Sequence, residues 1–298
     1  MTLEEFIRDA AEQMAAKGLH FGHGTDNALD EACWLASAAL GLPPDFSAEA
    51  FAAVLDPDQL GRCRTLLRER IDSRKPLAYL LGEAWLAGLS FEVNESVLVP
   101  RSPLAELIVD GFEPWLSAEQ LKRAVDVGTG SGCLAVALAV HWPQLSVDAL
   151  DLCPKAVALA RRNAERHAVA DRVRCLQSDL LSAVAGERYD LILANPPYVP
   201  EASMQDLPAE YRHEPQLGLV AGDDGLDLVR RLLIDAPDHL TEQGILVCEV
   251  GEAAEALEVL IGGVCELAWL EFAQGGDGVF LLDHAACRAA ATYLESLR

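Results

Sequence analysis

From Arg123 onward the chain alternates short apolar runs with stretches of helical period, and this leaves few ways to fold. Residues 124–127 read as a strand, 132–141 as an apolar helix, and 146–150 as a strand that runs into Asp151. Pro154 opens a helix to His167, 173–177 is a strand ending near Asp179, and 189–194 is a strand with no turn residue inside it. A helix over 226–240, a strand over 244–250, strands near 267–272 and 278–282, and a helical tail complete the series. Strands this apolar are covered on both faces, and strands separated by helices run parallel. The reading is an α/β fold with a mostly parallel sheet, and a ligand belongs in the crevice at the carboxyl edge of its strands.

The first part of the chain has a different period. Leu3, Phe6, Ile7, Ala10, Ala11 and Met14 follow three-four spacing. Thr25 or Asp26 is positioned to cap a second helix running to Leu40, with Gly41 and Pro43-Pro44 as the stop. Ser47 can cap a short third helix, and Leu60, Cys63, Leu66, Leu67 and Arg70 are in register on a fourth over 57–71. Pro76 ends the helices. Trp85, Phe91, Val93, Val97 and Val99, punctuated by Gly82, Gly88 and Asn94, suggest a β-hairpin within 77–99. Pro100-Arg101-Ser102-Pro103 follows, before a helix over 104–112. It serves either as a helix entrance or to bring the Arg101 guanidinium or Ser102 beside the main site. The expected division is a helical substrate-docking domain at 1–75, a β-hairpin connector at 76–103 and a catalytic domain at 104–298.

Composition narrows the partners. With 51% apolar residues among 298, the chain can bury a sizeable core. A net charge of −24 opposes the phosphate backbone of nucleic acid and favours a basic partner. No apolar run is long enough to span a membrane, and the acidic start, Met1-Thr2-Leu3-Glu4-Glu5, does not read as a signal peptide. The 8 cysteines form no Cys-x-x-Cys pair and sit mostly in apolar runs. They read as reduced core residues of a cytoplasmic protein, with no metal cluster.

Two motifs carry the chemistry. Asp126-Val127-Gly128-Thr129-Gly130-Ser131-Gly132 lies between a strand and a helix, where a nucleotide loop belongs. Its glycines let backbone approach a ligand, but Cys133 occupies the position of the third fingerprint glycine and no lysine follows. The loop suits a ligand with a ribose, an adenine and a charged tail but no phosphate, and S-adenosylmethionine fits. Asp151 can accept the ribose hydroxyls and Asp179 the adenine amino group. The second motif is Asn195-Pro196-Pro197-Tyr198, where a strand stops on two prolines. The prolines stiffen the loop and remove two donors. The Asn195 side-chain oxygen and the Pro196 carbonyl can then each accept one N–H of a planar –NH2 group, and Tyr198 offers it a flat face.

These motifs resemble those of a class I S-adenosylmethionine-dependent methyltransferase of the protein-(glutamine-N5) family. The likeness continues through Tyr211-Arg212-His213-Glu214-Pro215 and Ala221-Gly222-Asp223-Asp224-Gly225-Leu226, over roughly residues 76 to 283. It implies a Rossmann-like, mostly parallel seven-stranded sheet behind a small N-terminal helical domain. It implies cofactor contacts from Asp126, Gly128, Thr129, Gly130, Gly132, Asp151, Asp179 and Asn195. Asn195, Pro196 and Tyr198 would be catalytic, and Pro197 and Arg101 would join them in holding substrate. The stretch from Val99 to Ile108 resembles the branch that modifies a glutamine of the third large-subunit ribosomal protein, and Ser102-Pro103 departs from the release-factor branch. The competing readings are a release-factor methyltransferase, an adenine-N6 methyltransferase on nucleic acid, a non-catalytic ribosome assembly factor and, more remotely, a nicotinamide dehydrogenase.

Overall fold

Amphipathic spacing at the N-terminus folds into helices whose ends are set by specific caps. The computed structural model describes residues 1–43, 46–273 and 275–298. Helix α1 (Leu3–Ala16) starts in a capping box between Thr2 and Glu5. Helix α2 (Ala28–Leu40) is capped by Asn27, whose side chain accepts from the Asp30 N–H at 3.0 Å. The cap expected at Thr25 or Asp26 does not form, because the Thr25 hydroxyl instead donates to Glu31 at 3.3 Å. Gly41, left-handed, closes α2, while Pro44 of the expected proline stop lies outside the described residues. Helix α3 (Ala48–Phe51) follows Ser47, which makes no side-chain cap, and α4 (Pro57–Ser73) opens with a capping box from Asp56 to Gln59. Leu3, Phe6, Ile7, Met14, Leu35 and Leu67 meet in one apolar cluster.

The connector is more helical than its valines suggest. Pro76 leads into α5 (Leu77–Leu81), which ends on left-handed Gly82. The hairpin is confined to β1 (Glu83–Leu86) and β2 (Leu89–Glu92). Val93, Val97 and Val99 lie beyond it as buried loop residues, packed with Ala78 and Ala84. Apolar alternation marked their burial but not a strand partner. Helix α6 (Leu104–Asp110) then begins the chain's approach to the sheet.

The expected alternation builds a seven-stranded sheet. Its elements are β3 (Arg123–Val127), α7 (Cys133–His141), β4 (Ser146–Asp151), α8 (Pro154–Arg166), β5 (Val173–Gln177) and β6 (Tyr189–Ala194). After them come α9 (Asp227–His239), β7 (Leu240–Glu249), α10 (Ala254–Ile261), β8 (Ala268–Trp269), β9 (Val279–Asp283) and α11 (His284–Ser296). The order is β5-β4-β3-β6-β7-β9-β8, parallel from β5 to β7 and antiparallel for the last two strands. The strand expected over 267–272 shrinks to two residues at the sheet edge. One face is covered by α6, α7 and α8, the other by α9, α10 and α11. Every residue of α7 from Cys133 to Ala139 is buried, as an apolar helix against a sheet requires. The chain lays β3, β4 and β5 outward, then returns to place β6 on the other side of β3. That reversal opens the crevice between the ends of β3 and β6.

Between β6 and α9, residues 201–218 form three short 3-10 turns that reach back to the N-terminal helices. Glu210 accepts from the His20 N–H at 3.1 Å and pairs with Arg74 at 2.8 Å and Arg70 at 3.8 Å. Arg70, 1% exposed, also donates to Glu31 at 2.6 Å and to the His20 carbonyl at 3.1 Å. Glu214 accepts from the Val99 N–H at 3.0 Å and from both ends of the Arg101 fork at 2.5 and 2.7 Å, with His23 at 3.5 Å. Burial pushes the Glu214 pKa up, but His23 and Arg101 outweigh burial and hold it at about 2, below the ordinary 4.5. A carboxylate with a depressed folded pKa stabilises fully above its unfolded value and loses that contribution as pH falls through the folded one. The effect is on the order of 3 kcal/mol. Glu214→Gln should therefore be less stable at neutral pH, and its stability should fall less steeply between pH 4.5 and about 2. Denaturant unfolding across that range checks both outcomes.

Candidate active site

The wall of the crevice on the β3 side is the turn from Gly128 to Gly132. The Gly128 and Thr129 N–H groups donate to the Leu150 carbonyl at 2.9 and 2.8 Å. Asp151, at the end of β4, accepts from the Gly130 N–H at 2.9 Å and from the Cys153 N–H at 2.8 Å. Asn163 of α8 donates to the Ser131 carbonyl at 2.8 Å and to the Glu92 carbonyl at 3.0 Å, and accepts from the Glu92 N–H at 2.8 Å. The hairpin, the turn and α8 thus share one buried amide. Burial raises the Asp151 pKa, and its two backbone donors partly offset that. Each Asp151 oxygen keeps a second lone pair, so the residue can still accept from a ligand hydroxyl.

Two residues expected on the ligand lie elsewhere. Asp126 is fully buried beneath the turn and does not line the crevice. Its carboxylate accepts from the Thr129 hydroxyl at 2.5 Å and from the Ala135 N–H at 3.2 Å. The first turn of α7 needs an acceptor for its unpaired N–H groups, and Asp126 supplies it. Burial lifts the Asp126 pKa to about 7 against those two hydrogen bonds. Gly132 serves packing: a Cβ there would stand 2.8 Å from the Ala160 Cβ, so its absence lets α7 and α8 approach.

The opposite wall is Asn195-Pro196-Pro197-Tyr198, directly after β6. The two walls enclose a cavity of about 730 Å³. Gly128, Thr129, Gly130, Asp151, Asp179, Asn195, Pro196, Pro197 and Tyr198 all line it. The walls nearly touch, since a Cβ on Gly128 would lie 3.7 Å from the Asn195 carbonyl oxygen. Tyr198 is held from behind: its hydroxyl donates to Glu249 at 3.0 Å, and a Cβ on Gly251 would sit 2.6 Å from its ring. Glu249, the last residue of β7, also accepts from the Ser102 hydroxyl at 2.5 Å. Burial raises its pKa, and Ser102, Tyr198, Arg101 and Asn195 each pull it back. The sequence reading gave Glu249 no role. The rule that singled out Asp151, an acid at the end of an apolar strand, also describes Glu249.

Arg101 lines the cavity, yet its guanidinium does not present an open fork. Glu214 takes both ends, and the group lies over the Tyr211 ring at 5.3 Å from its centroid. Burial alone would lower its pKa, and the Glu214 charge more than restores it. With both ends of its fork on Glu214, Arg101 braces this wall of the cavity. Asp179 sits at the rim, where its carboxylate accepts from Arg231 at 2.7 Å. Among the described lining residues Arg101 and Arg231 are the only cations, and both are paired to carboxylates. A cavity with unshared acceptors and no unpaired cation suits a ligand rich in hydroxyl and amino groups that carries positive charge. It does not suit a phosphate. S-adenosylmethionine, with its ribose, adenine and sulfonium, meets these terms.

A family model described as "Methyltransferase small domain" matches residues 110–210. The chain is 48% identical to a ribosomal protein uL3 glutamine methyltransferase of Xanthomonas campestris pv. campestris, over 95% of this chain and 91% of that one. It is 43% identical to the protein of the same name from Bordetella pertussis, over 94% of each. Among solved structures, the human METTL16 catalytic domain aligns with a TM-score of 0.51 at 21% identity, covering 83% of this chain and 90% of that one. At that identity the likeness is one of fold.

Asp151→Ala removes both the acceptor on the cavity wall and the tether of Gly130. The affinity for S-adenosylmethionine should fall at least about tenfold, since a hydrogen bond to a charged group is worth ~1.5–3 kcal/mol. Titration calorimetry reads this directly, and an unchanged dissociation constant would place the ribose elsewhere.

Proposed function

The chain belongs to the family of ribosomal protein uL3 glutamine methyltransferases, and we infer that it methylates a glutamine side-chain amide of ribosomal protein uL3 with S-adenosylmethionine as methyl donor. The observation that carries this reading is the contact between the two walls. The turn that suits an adenosyl ligand and the loop that suits a planar amide meet backbone to backbone at Gly128 and Asn195. A ligand on one wall therefore faces a substrate on the other.

When bound, the cofactor supplies an electrophilic methyl group. The chain's own task is to present an amide nitrogen, a poor nucleophile because its lone pair is delocalised into the carbonyl. The Asn195 side-chain oxygen and the Pro196 carbonyl accept one N–H each, fixing both N–H directions. Their partial negative charge favours the positive charge that develops on nitrogen. Pro196 and Pro197 keep the two acceptors from relaxing away, and the Tyr198 ring covers the amide plane and excludes water. Orientation of this kind supplies up to roughly 7–11 kcal/mol in favourable models. It needs no strong base, because the proton leaves after transfer. Asn195→Ala should reduce methyl transfer to uL3 on the order of 10²-fold or more while S-adenosylmethionine affinity stays close to that of the parent. Peptide mass spectrometry of uL3 for a one-methyl increment on glutamine, with calorimetry alongside, measures both. Near-normal turnover would reduce the loop to a structural element.

The net charge of −24 supports capture of a basic protein by long-range attraction. The helices of residues 1–75 act as part of the dock, tied to the segment after the Asn195 loop by the ion pairs of Arg70 and Arg74 to Glu210 and by the approach of His23 to Glu214. Raising ionic strength past about 0.1 M should lower kcat/KM for whole uL3 more than for a short glutamine peptide. Steady-state kinetics on the two substrates decide the point, and equal loss on both would remove steering from the account.

A further inference from the structure

Asn195 can hold a substrate amide only if its carboxamide presents oxygen, not nitrogen, to the cavity. The two ends of a carboxamide have nearly the same size and shape, so packing alone does not choose between them. Something behind the loop must choose. The group behind it is Glu249. This carboxylate is 6% exposed and ends β7 beside the loop. One oxygen takes the Ser102 hydroxyl at 2.5 Å and the other takes the Tyr198 hydroxyl at 3.0 Å. Asn195 is next to them: Ala194, the residue before it, pairs in parallel register with Cys248, the residue before Glu249, and both Asn195 and Glu249 line the cavity.

An ionised carboxylate only accepts. Each neighbour must therefore turn a donor toward it: Ser102 its O–H, Tyr198 its O–H, and Asn195 its NH2. With the NH2 turned toward Glu249, the Asn195 oxygen is left to the cavity. We propose that Glu249 is the positioning residue of the site, a buried carboxylate that fixes the carboxamide orientation of Asn195 and anchors the Tyr198 ring, so that the loop offers an acceptor to the substrate amide. Burial raises the pKa of this carboxylate, and the Ser102 and Tyr198 hydroxyls, Arg101 and Asn195 offset part of that rise in favour of the charged form. The inference rests on the proposed reaction for its kinetic consequence, but the orientation of Asn195 does not require a substrate.

Glu249→Gln keeps the shape and removes the selection, because a carboxamide can donate or accept. Burial disfavours the charge of Glu249, so the variant should fold and unfold at a temperature no lower than the parent. Single-turnover methyl transfer to uL3 should nevertheless drop on the order of 10²-fold, as expected for a misplaced acceptor. S-adenosylmethionine affinity should stay unchanged. Side-chain amide NMR of the full chain gives the second readout, with the Asn195 resonance identified by its loss in Asn195→Asp. In the parent its NH2 protons should be shifted by the carboxylate and slow to exchange, and Glu249→Gln should abolish both. A parental rate in Glu249→Gln, or an Asn195 resonance that does not move, overturns the proposal. If the parent itself leaves uL3 unmethylated, the substrate reading fails, and the Asn195 resonance still decides the role of Glu249.

Discussion

One buried carboxylate, Glu214, joins three stretches of chain that are remote in sequence. It accepts from the Val99 backbone, grips Arg101 on both ends and faces His23 of the N-terminal helices. A charge taken out of water is costly unless it is fully paired, and removing one partner of such a pair is worse than never having built it. The arrangement is therefore all or nothing. If Glu214 is in place, then the segment after the Asn195 loop, the strap from Pro100 to Pro103 and the helical bundle are all in place with it. Glu210 repeats the device one turn earlier with Arg70 and Arg74. The cavity wall is thus set by ion pairs whose geometry admits little adjustment.

The loop from Asn195 to Tyr198 needs few devices of its own. Strand β6 is buried on both faces and cannot shift without breaking the sheet. After Asn195 come two prolines, and the ring of Tyr198 is confined by Gly251. Positioning of a weak nucleophile is a matter of tenths of an ångström, and rigid strand ends supply this better than a mobile loop would. The turn at Gly128 is braced in the same manner, by Leu150 and Asp151 from the neighbouring strand. Both walls are extensions of the sheet.

The parts of this design that depend on local pattern were legible in the sequence. The alternation after Arg123, the strand ends at Asp151 and Ala194, and the helices of residues 3–73 all follow from period and punctuation. Errors arose where two local signals competed. Thr25, Asp26 and Asn27 could each cap α2, and the choice fell to Asn27 because Thr25 found Glu31. The buried valines from Val93 to Val99 carry a strand composition, but their partner is a cluster of side chains and not a ladder. The motifs point Asp126, Gly132 and Arg101 toward ligands, and their neighbours in space are Ala135, Ala160 and Glu214. These three partners range from 9 residues away for Ala135 to 113 for Glu214, and no local pattern encodes such pairings. Glu249 ends an apolar strand as Asp151 does, and what distinguishes it, the hydroxyls of Ser102 and Tyr198, comes from positions 147 and 51 residues away.

Glu214 and Glu249 show how one cation can serve two acids differently. Arg101 lies near both, and its fork is spent on Glu214. His23 and the Arg101 fork together hold the Glu214 pKa at about 2 despite burial. Glu249 receives Arg101 only through space, with the Ser102 and Tyr198 hydroxyls as its direct partners, and burial wins: its pKa moves upward. Were the pair reversed, with Arg101 clamped on Glu249, the guanidinium would occupy the space behind Asn195 and Tyr198, and neither could turn a donor to the carboxylate. Placing the strong pair one layer back leaves Glu249 with lone pairs to orient the loop. The cost is a buried carboxylate held less firmly in its charged form, in the one position where its direction of hydrogen bonding decides which end of Asn195 the cavity sees.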